Sequence, residues 1–135
     1  MFDTKIAIII REDLAIWQKL NVTAFLMSGI AGANPSIIGS PYIDGDNNEH
    51  LPLSIQPVIV LSATANVLTN IRRRARDRNI ETAAYIEEMF ETGHDDANRE
   101  VFSQYSLEEA NTVGIALRAD KKTVDKITKG AKMHS

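Results

Sequence analysis

The chain has 135 residues, a hydrophobic fraction of 44%, a charged fraction of 24% and a formal net charge of −3. That length suits a single domain over residues 1–135, burying roughly 65–70% of the surface exposed by the unfolded chain. The absence of cysteine excludes disulfides, thiolate catalysis and Cys-based zinc or iron–sulfur sites, and it suits a reducing cytoplasm.

The opening residues lack a basic region followed by an apolar core, so no signal peptide is expected. The first apolar run is five residues, far short of the roughly 20 that span a bilayer. A cytoplasmic protein without a membrane partner is therefore expected. The acidic balance provides no general attraction to nucleic acid, so RNA binding requires a local basic patch.

Ile6–Ile10 is an unbroken apolar run, the pattern of a strand covered on both faces. Arg11-Glu12-Asp13 breaks it, and Asp13 is placed to cap a helix. In that helix Trp17, Leu20, Ala24 and Met27 or Ser28 recur at three- and four-residue steps and form the expected apolar face. Gly29, Gly32 and Pro35 end it. From Ala33 to Gln56 the composition shifts to Gly, Pro, Ser, Asn and Asp, which reads as a long loop.

Pro57–Leu61 is a second strand, with proline at its first position, where the missing amide matters least. Ser62 or Thr64 caps a helix with Val67, Leu68, Ile71 and Ala75 inward. Arg72, Arg73, Arg74, Arg76 and Arg78 surround that face and cluster toward its end, where cations suit the helix dipole. Ile80–Ile86 alternates as a third strand. Glu87 to Asn111 is a second long polar connection, with a capping sequence at Ser106. Thr112–Leu117 is the fourth strand. Asp120 caps a last helix with Val124, Ile127 and Ala131 inward. The order strand, helix, strand, helix, strand, strand, helix predicts an α/β fold of three α/β/α layers around a four-stranded mixed sheet.

The motifs of most chemical interest are weak. Asp44-Gly-Asp46-Asn-Asn48 begins like a calcium loop, but Glu49 occupies the position of the required glycine and Ile55 that of the bidentate glutamate. His50, His94 and His134 lack metal-ligand spacing, so neither metal nor cofactor is expected. Gly29-Ile-Ala-Gly32 follows a helix and does not open one, which makes it a helix stop and not a phosphate cradle. No Phe or Tyr interleaves with Arg72–Arg78, so that helix offers no stacking platform for single-stranded RNA.

Lys5-Ile-Ala-Ile-Ile-Ile-Arg11-Glu12-Asp13-Leu14 with Lys19, Pro57-Val-Ile-Val, and Thr112-Val-Gly-Ile-Ala through Val124-Asp125-Lys126-Ile127 resemble the type II peptidyl-tRNA hydrolases. They resemble more closely an uncharacterised bacterial family sharing that fold, number two thousand among domains of unknown function. The resemblance implies a peptidyl-tRNA hydrolase II-like fold. It places the functional lysine at Lys19, the acidic residue after the third strand at Glu88, and the following threonine at Thr92. Thr112 falls on the threonine that opens the last strand, Thr23 on the family's glutamine and Leu26 on its histidine. Gln18 replaces a glycine, and the connection from Thr92 to Thr112 is longer than the family's.

What the resemblance implies is a hydrolase of peptidyl-tRNA or a related acyl ester. Glu88 would orient water, Lys19 would stabilise developing negative charge, and Thr92 would supply a hydrogen bond. A lysine beside a carboxylate keeps its charge, which favours an electrostatic role over that of a base. Arg11, Asp13, Thr23, Thr112 and His94 join as binding candidates. The alternative is a non-catalytic domain binding a small molecule or a partner through the enlarged second loop, as a homodimer.

Overall fold

The computed structural model describes residues 2–135. β1 (Thr4–Arg11) is the central strand. Its Ile6, Ile8 and Ile10 enter one apolar cluster and its Ala7 and Ile9 another, so both faces are covered and the continuous run is explained. α1 (Ile16–Ala33) follows. The segment after it holds a 3-10 turn, Pro35–Ile37, and a small hairpin of β2 (Tyr42–Ile43) and β3 (Glu49–His50). β4 (Val58–Ala63) then runs parallel to β1.

α2 (Ala65–Asp77) begins at Thr64, whose hydroxyl accepts the Val67 amide at 3.3 Å. β5 (Thr82–Ile86) leads into a 3-10 turn, Glu87–Glu91, and α3 (Asp95–Ser103). β6 (Thr112–Asp120) pairs antiparallel with both β5 and β1. α4 (Lys121–Ile127) is capped by Asp120, which accepts the Thr123 amide at 3.1 Å. β7 (Lys132–Met133) closes the sheet, whose order is β5-β6-β1-β4-β7. α1 packs on one face of the sheet, and α2 and α4 pack on the other. No helix among the described residues is long and apolar enough to cross a membrane.

Several expectations are corrected. The sheet has five strands, not four, because the chain reverses after α4 through Gly130 at φ +100° and pairs β7 with Leu61 and Ser62. Two residues are too short to show a period, and Ala131 lies in this reversal, beyond the end of α4. The connection from Glu87 to Asn111 carries α3, a helix too short and polar to stand out by periodicity. Asp13 does not cap α1. The cap position is Ala15, whose amide donates to the Gln18 side chain at 3.0 Å.

The buried face of α1 also differs from the one expected. Val22, Leu26 and Ile30 are buried, whereas Ile16, Trp17 and Leu20 are 76%, 61% and 68% exposed. The helix is apolar on two arcs and holds one charged residue, Lys19, so periodicity alone could not choose between them. Sheet packing chooses. A Cβ on Gly114 of β6 would lie 2.6 Å from Val22 Cγ1 and 2.9 Å from Leu26 Cδ1, so glycine there lets this arc approach the strand closely.

One irregularity shapes the site edge. Tyr85 pairs with Gly114 but Ile86 pairs with Thr112, leaving Val113 as an extra residue in β6. Val113 joins Tyr85 in the cluster beneath α1, while Ile115 lies on the α2 side. The bulge thereby turns Thr112 toward α2.

Candidate functional site

Because β1, β4 and β5 run in one direction and β6 in the other, Arg11, Ala63, Ile86 and Thr112 end up at one edge. Open sheets bind ligands at such carboxyl ends. Arg11 braces this edge. Its Nε donates to Asp13 Oδ1 at 2.5 Å and its Nη2 to Glu87 Oε1 at 2.6 Å. Burial opposes the guanidinium charge, and the two carboxylates outweigh that cost, so its pKa is raised.

Each expected site residue has its own partners. Thr23 is half-buried and spends its hydroxyl on the Lys19 carbonyl at 2.7 Å, a bond internal to α1. Leu26, at the position of the family's histidine, is core. Glu88 Oε2 accepts the Asn111 side-chain amide at 2.9 Å, and Glu88 Oε1 is buried without a partner. The Thr92 hydroxyl donates to the Met89 carbonyl at 2.9 Å and lies against the Asn98 side-chain amide. Lys19 is half-buried, and its amino group forms no hydrogen bond or ion pair among the described residues. No hydrogen bond links Lys19, Glu88 and Thr92 to one another.

Thr112 is 3% exposed, and its hydroxyl accepts from Arg72 Nη1 at 3.0 Å. The Arg72 carbon lies 5.6 Å from the centre of the Phe102 ring, and burial pushes this guanidinium's pKa down. The other arginines of α2, and Arg78 just beyond its end, are also occupied. Arg73 binds Glu108, Arg74 the carbonyls of Ile127 and Lys129, Arg76 Asp77, and Arg78 the Arg74 carbonyl. The basic run of α2 therefore ties elements together and presents no open phosphate-binding face.

His94 caps α3, its Nδ1 accepting the Ala97 amide at 3.2 Å. It nonetheless shares a cleft with Thr92. That cleft has a volume of about 290 Å³ and is walled by Trp17, Phe90, Thr92, His94, Asp95 and Asn98. A second hollow of about 500 Å³ shares Phe25, Tyr85, Met89, Asp95 and Asn98 with it and extends to Phe102. The two form one groove between α1, β5 and α3.

An aromatic file forms one side of the groove. Ring centres are 5.7 Å apart for Phe25 and Tyr85, 5.2 Å for Tyr85 and Phe90, and 5.8 Å for Phe90 and Trp17, the last edge to face. Four of the chain's eight aromatic residues thus come together from three separate segments. Sequence reasoning missed the groove because Trp17 read as the inward face of a helix, Phe25 stood outside that expected face, and Phe90 fell in a polar connection. Two other hollows, of about 490 and 570 Å³, lie at the amino edge of the sheet, beside Lys5 and Gln56 and beside Asn34 and Arg118. Their polar side chains are joined in a network, with Gln56 bonded to Thr4 and Arg118 to Gln56 and Asn34. Among the described residues no group of three or more His, Asp and Glu side chains is placed to hold a metal ion.

A family described as "Protein of unknown function (DUF2000)" matches residues 4–135. The chain belongs to this family. A solved structure of a protein of unknown function, Atu0240 from Agrobacterium tumefaciens strain C58, is 61% identical, with full coverage of both chains and a TM-score of 0.99. No curated protein matches the chain.

Proposed function

We propose that this DUF2000 protein binds a small molecule in the groove between α1, β5 and α3. The observation that carries the proposal is the aromatic file beside a polar end made by Thr92, His94, Asp95 and Asn98. Apolar walls with a few converging hydrogen-bonding groups are the usual composition of small-molecule sites, and the volumes of about 290 and 500 Å³ suit them. The ligand class is a compound with a flat apolar body and a hydrogen-bonding terminus. The body would stack along Phe90 and Tyr85, and the terminus would reach Asn98 and His94.

Trp17 is the sole tryptophan and stands in the groove wall, so its emission reports occupancy. A panel of aromatic acids, amides and amines should contain compounds that change Trp17 emission and raise the melting temperature together. Asn98→Ala and Phe90→Ala should abolish both responses. A panel in which no compound moves either signal overturns the proposal.

A second reading, the ester hydrolysis and peptidyl-tRNA hydrolase II-like fold implied by the resemblance, is favoured by one observation. Glu88 Oε1 is buried and unpartnered, and a carboxylate oxygen in that condition is free to hold water. In this reading Lys19 stabilises the oxyanion, Glu88 orients water, Thr92 donates a hydrogen bond and tRNA is the partner. Cleavage of a peptidyl-tRNA analogue that falls at least about tenfold in both Lys19→Ala and Glu88→Gln would support it. Equal cleavage by wild type and Lys19→Ala would remove it.

A further inference from the structure

β5 forms one edge of the sheet. Along a strand the N–H and C=O of one residue point the same way, and successive residues alternate. The Ile86 amide points outward, to Met89 Sδ at 3.4 Å, and the Glu87 amide points back to the Asn111 carbonyl at 2.8 Å. Thr82 and Ala84 therefore face outward with Ile86, while Ala83 and Tyr85 face Ala116 and Gly114 of β6. No hydrogen bond among the described residues reaches the outward groups of Thr82 and Ala84. Sheet edges are ordinarily blunted by shortness, lysine, proline or a bulge. The opposite edge follows that rule, since β7 is two residues long and begins with Lys132. β5 does not, because Thr82–Ile86 holds no charged residue and no proline.

We propose that the outer edge of β5 binds an extended, cationic peptide segment as an added strand of the sheet. α3 selects a single chain as the occupant. It stands along this edge without a hydrogen bond to β5, its Phe102 ring 5.6 Å from the Arg72 guanidinium carbon of α2. The hollow of about 500 Å³ between them is lined by Ala83, Ala84 and Tyr85 of β5 and by Asp95, Asn98 and Phe102 of α3. One extended chain fits between an edge strand and a helix, whereas a second copy would bring its own α1 and α3 into the slot.

Charge sets the kind of peptide. Between residues 81 and 100 the chain holds seven carboxylates and one arginine, Arg99. The flanks of the slot thus repel a second copy of themselves and attract lysine or arginine. Arg118, near the amino end of β5, is turned to Gln56 and Asn34. Side-chain placement follows from the same register. Ala83 and Tyr85 face α1, so a partner residue opposite either one points into the hollow beside Phe25, Leu26 and Met89. That position takes a bulky apolar side chain. Because the bonds come from the backbone of Thr82 and Ala84, the inference goes beyond the small-molecule reading and stands without it.

The probe is a library of acetylated, amidated heptapeptides with lysine at both ends, phenylalanine at the centre and the other positions free. Fluorescence polarisation with the full chain should find binders with a Kd of about 1–100 μM. N-methylation of alternate amides should weaken a binder about tenfold or more in one register and less than about twofold in the other, since only one register faces β5. Ala84→Pro removes an outward donor and no bond to β6, so it should abolish binding with the far-ultraviolet dichroism unchanged. Thr82→Pro, at the first position of the strand, removes the other outward donor and should act alike, which keeps the test valid if Ala84→Pro does not fold. Phe90 lines the small-molecule cleft but not the hollow beside β5. Phe90→Ala should therefore spare peptide binding while it abolishes the small-molecule response, so the two readings fail separately. A library without a binder, or equal losses from the two N-methylated registers, overturns the proposal. So does binding undiminished by either proline variant, or a dimer in sedimentation that Ala84→Pro dissolves, which would give the edge to a second copy.

Discussion

The Arg72 guanidinium reaches from α2 to the buried Thr112 hydroxyl at 3.0 Å, with no carboxylate paired to it among the described residues. The bond exists because the extra residue Val113 turns Thr112 toward α2. Thr112→Val keeps the shape and removes the acceptor, leaving a partly buried N–H unpaired. The expected loss is about 1–3 kcal/mol in urea unfolding, with Thr112→Ser restoring most of it. Wild-type stability in Thr112→Val would show that the bond contributes nothing.

Gly114 is held to glycine by contact. A methyl group there would sit 2.6 Å from Val22 Cγ1, 2.9 Å from Leu26 Cδ1 and 3.3 Å from Ile10 Cδ1. All three neighbours are buried and cannot withdraw into solvent. Gly114→Ala should therefore destabilise by about 1–3 kcal/mol through overpacking. The midpoint of chemical denaturation reads the effect, and an unchanged midpoint would contradict this packing.

Leu26 tests which arc of α1 faces the sheet. Leu26→Ala should cost about 2–5 kcal/mol, as deletions in a rigid core do. The same truncation at Leu51, which is 85% exposed, should stay within about 0.5 kcal/mol. Equal losses would mean that Leu26 is not core.

Acid should weaken the start of α4. Hydrogen bonds from the Thr123 hydroxyl and amide hold the Asp120 carboxyl below its ordinary 3.8. A folded-state pKa below the unfolded value adds stability that is present above 3.8 and lost as the pH falls through the folded value. The Glu108 carboxyl, lowered from 4.5 by its hydrogen bond to Arg73, acts in the same sense. Stability against pH in Asp120→Asn should fall less steeply below 3.8 than in wild type. Parallel curves would remove the carboxylate from the account.

The aromatic file predicts a spectroscopic result without any ligand. Phe90 meets Trp17 edge to face at 5.8 Å. Phe90→Ala should shift Trp17 emission to longer wavelength as water replaces the ring. Emission unchanged in that variant would place the indole away from Phe90.

Much of the architecture was legible from residue order. Ile6–Ile10 announced a strand covered on both faces, Asp120 announced a helix start that the structure uses, and of the two caps open for α2, Ser62 and Thr64, the structure uses Thr64. The site was less legible. Thr92 and His94 share a cleft as neighbours in one loop, but Trp17 and Phe25, which complete it, come from a helix that also has core positions. Glu88, Thr92 and Lys19 each spend or leave free their hydrogen-bonding groups without meeting one another, a matter of side-chain direction that spacing does not encode.

By itself the sequence determined what nearest-neighbour physics controls: the apolar runs that become β1, β4 and β6, the cap at Asp120 and the break before Pro35, whereas Gly29 and Gly32, read as a helix stop, lie inside α1 and Asp13 does not cap it. Only the tertiary structure decided which of two apolar arcs of α1 is buried, that the chain returns as β7, and that a bulge turns Thr112 to Arg72. The physical reason lies in the range of the interactions. A hydrophobic period states that a face will be buried, while the partner that buries it is chosen by contacts between residues far apart in the chain. On α1 that choice left Ile16, Trp17 and Leu20 in solvent.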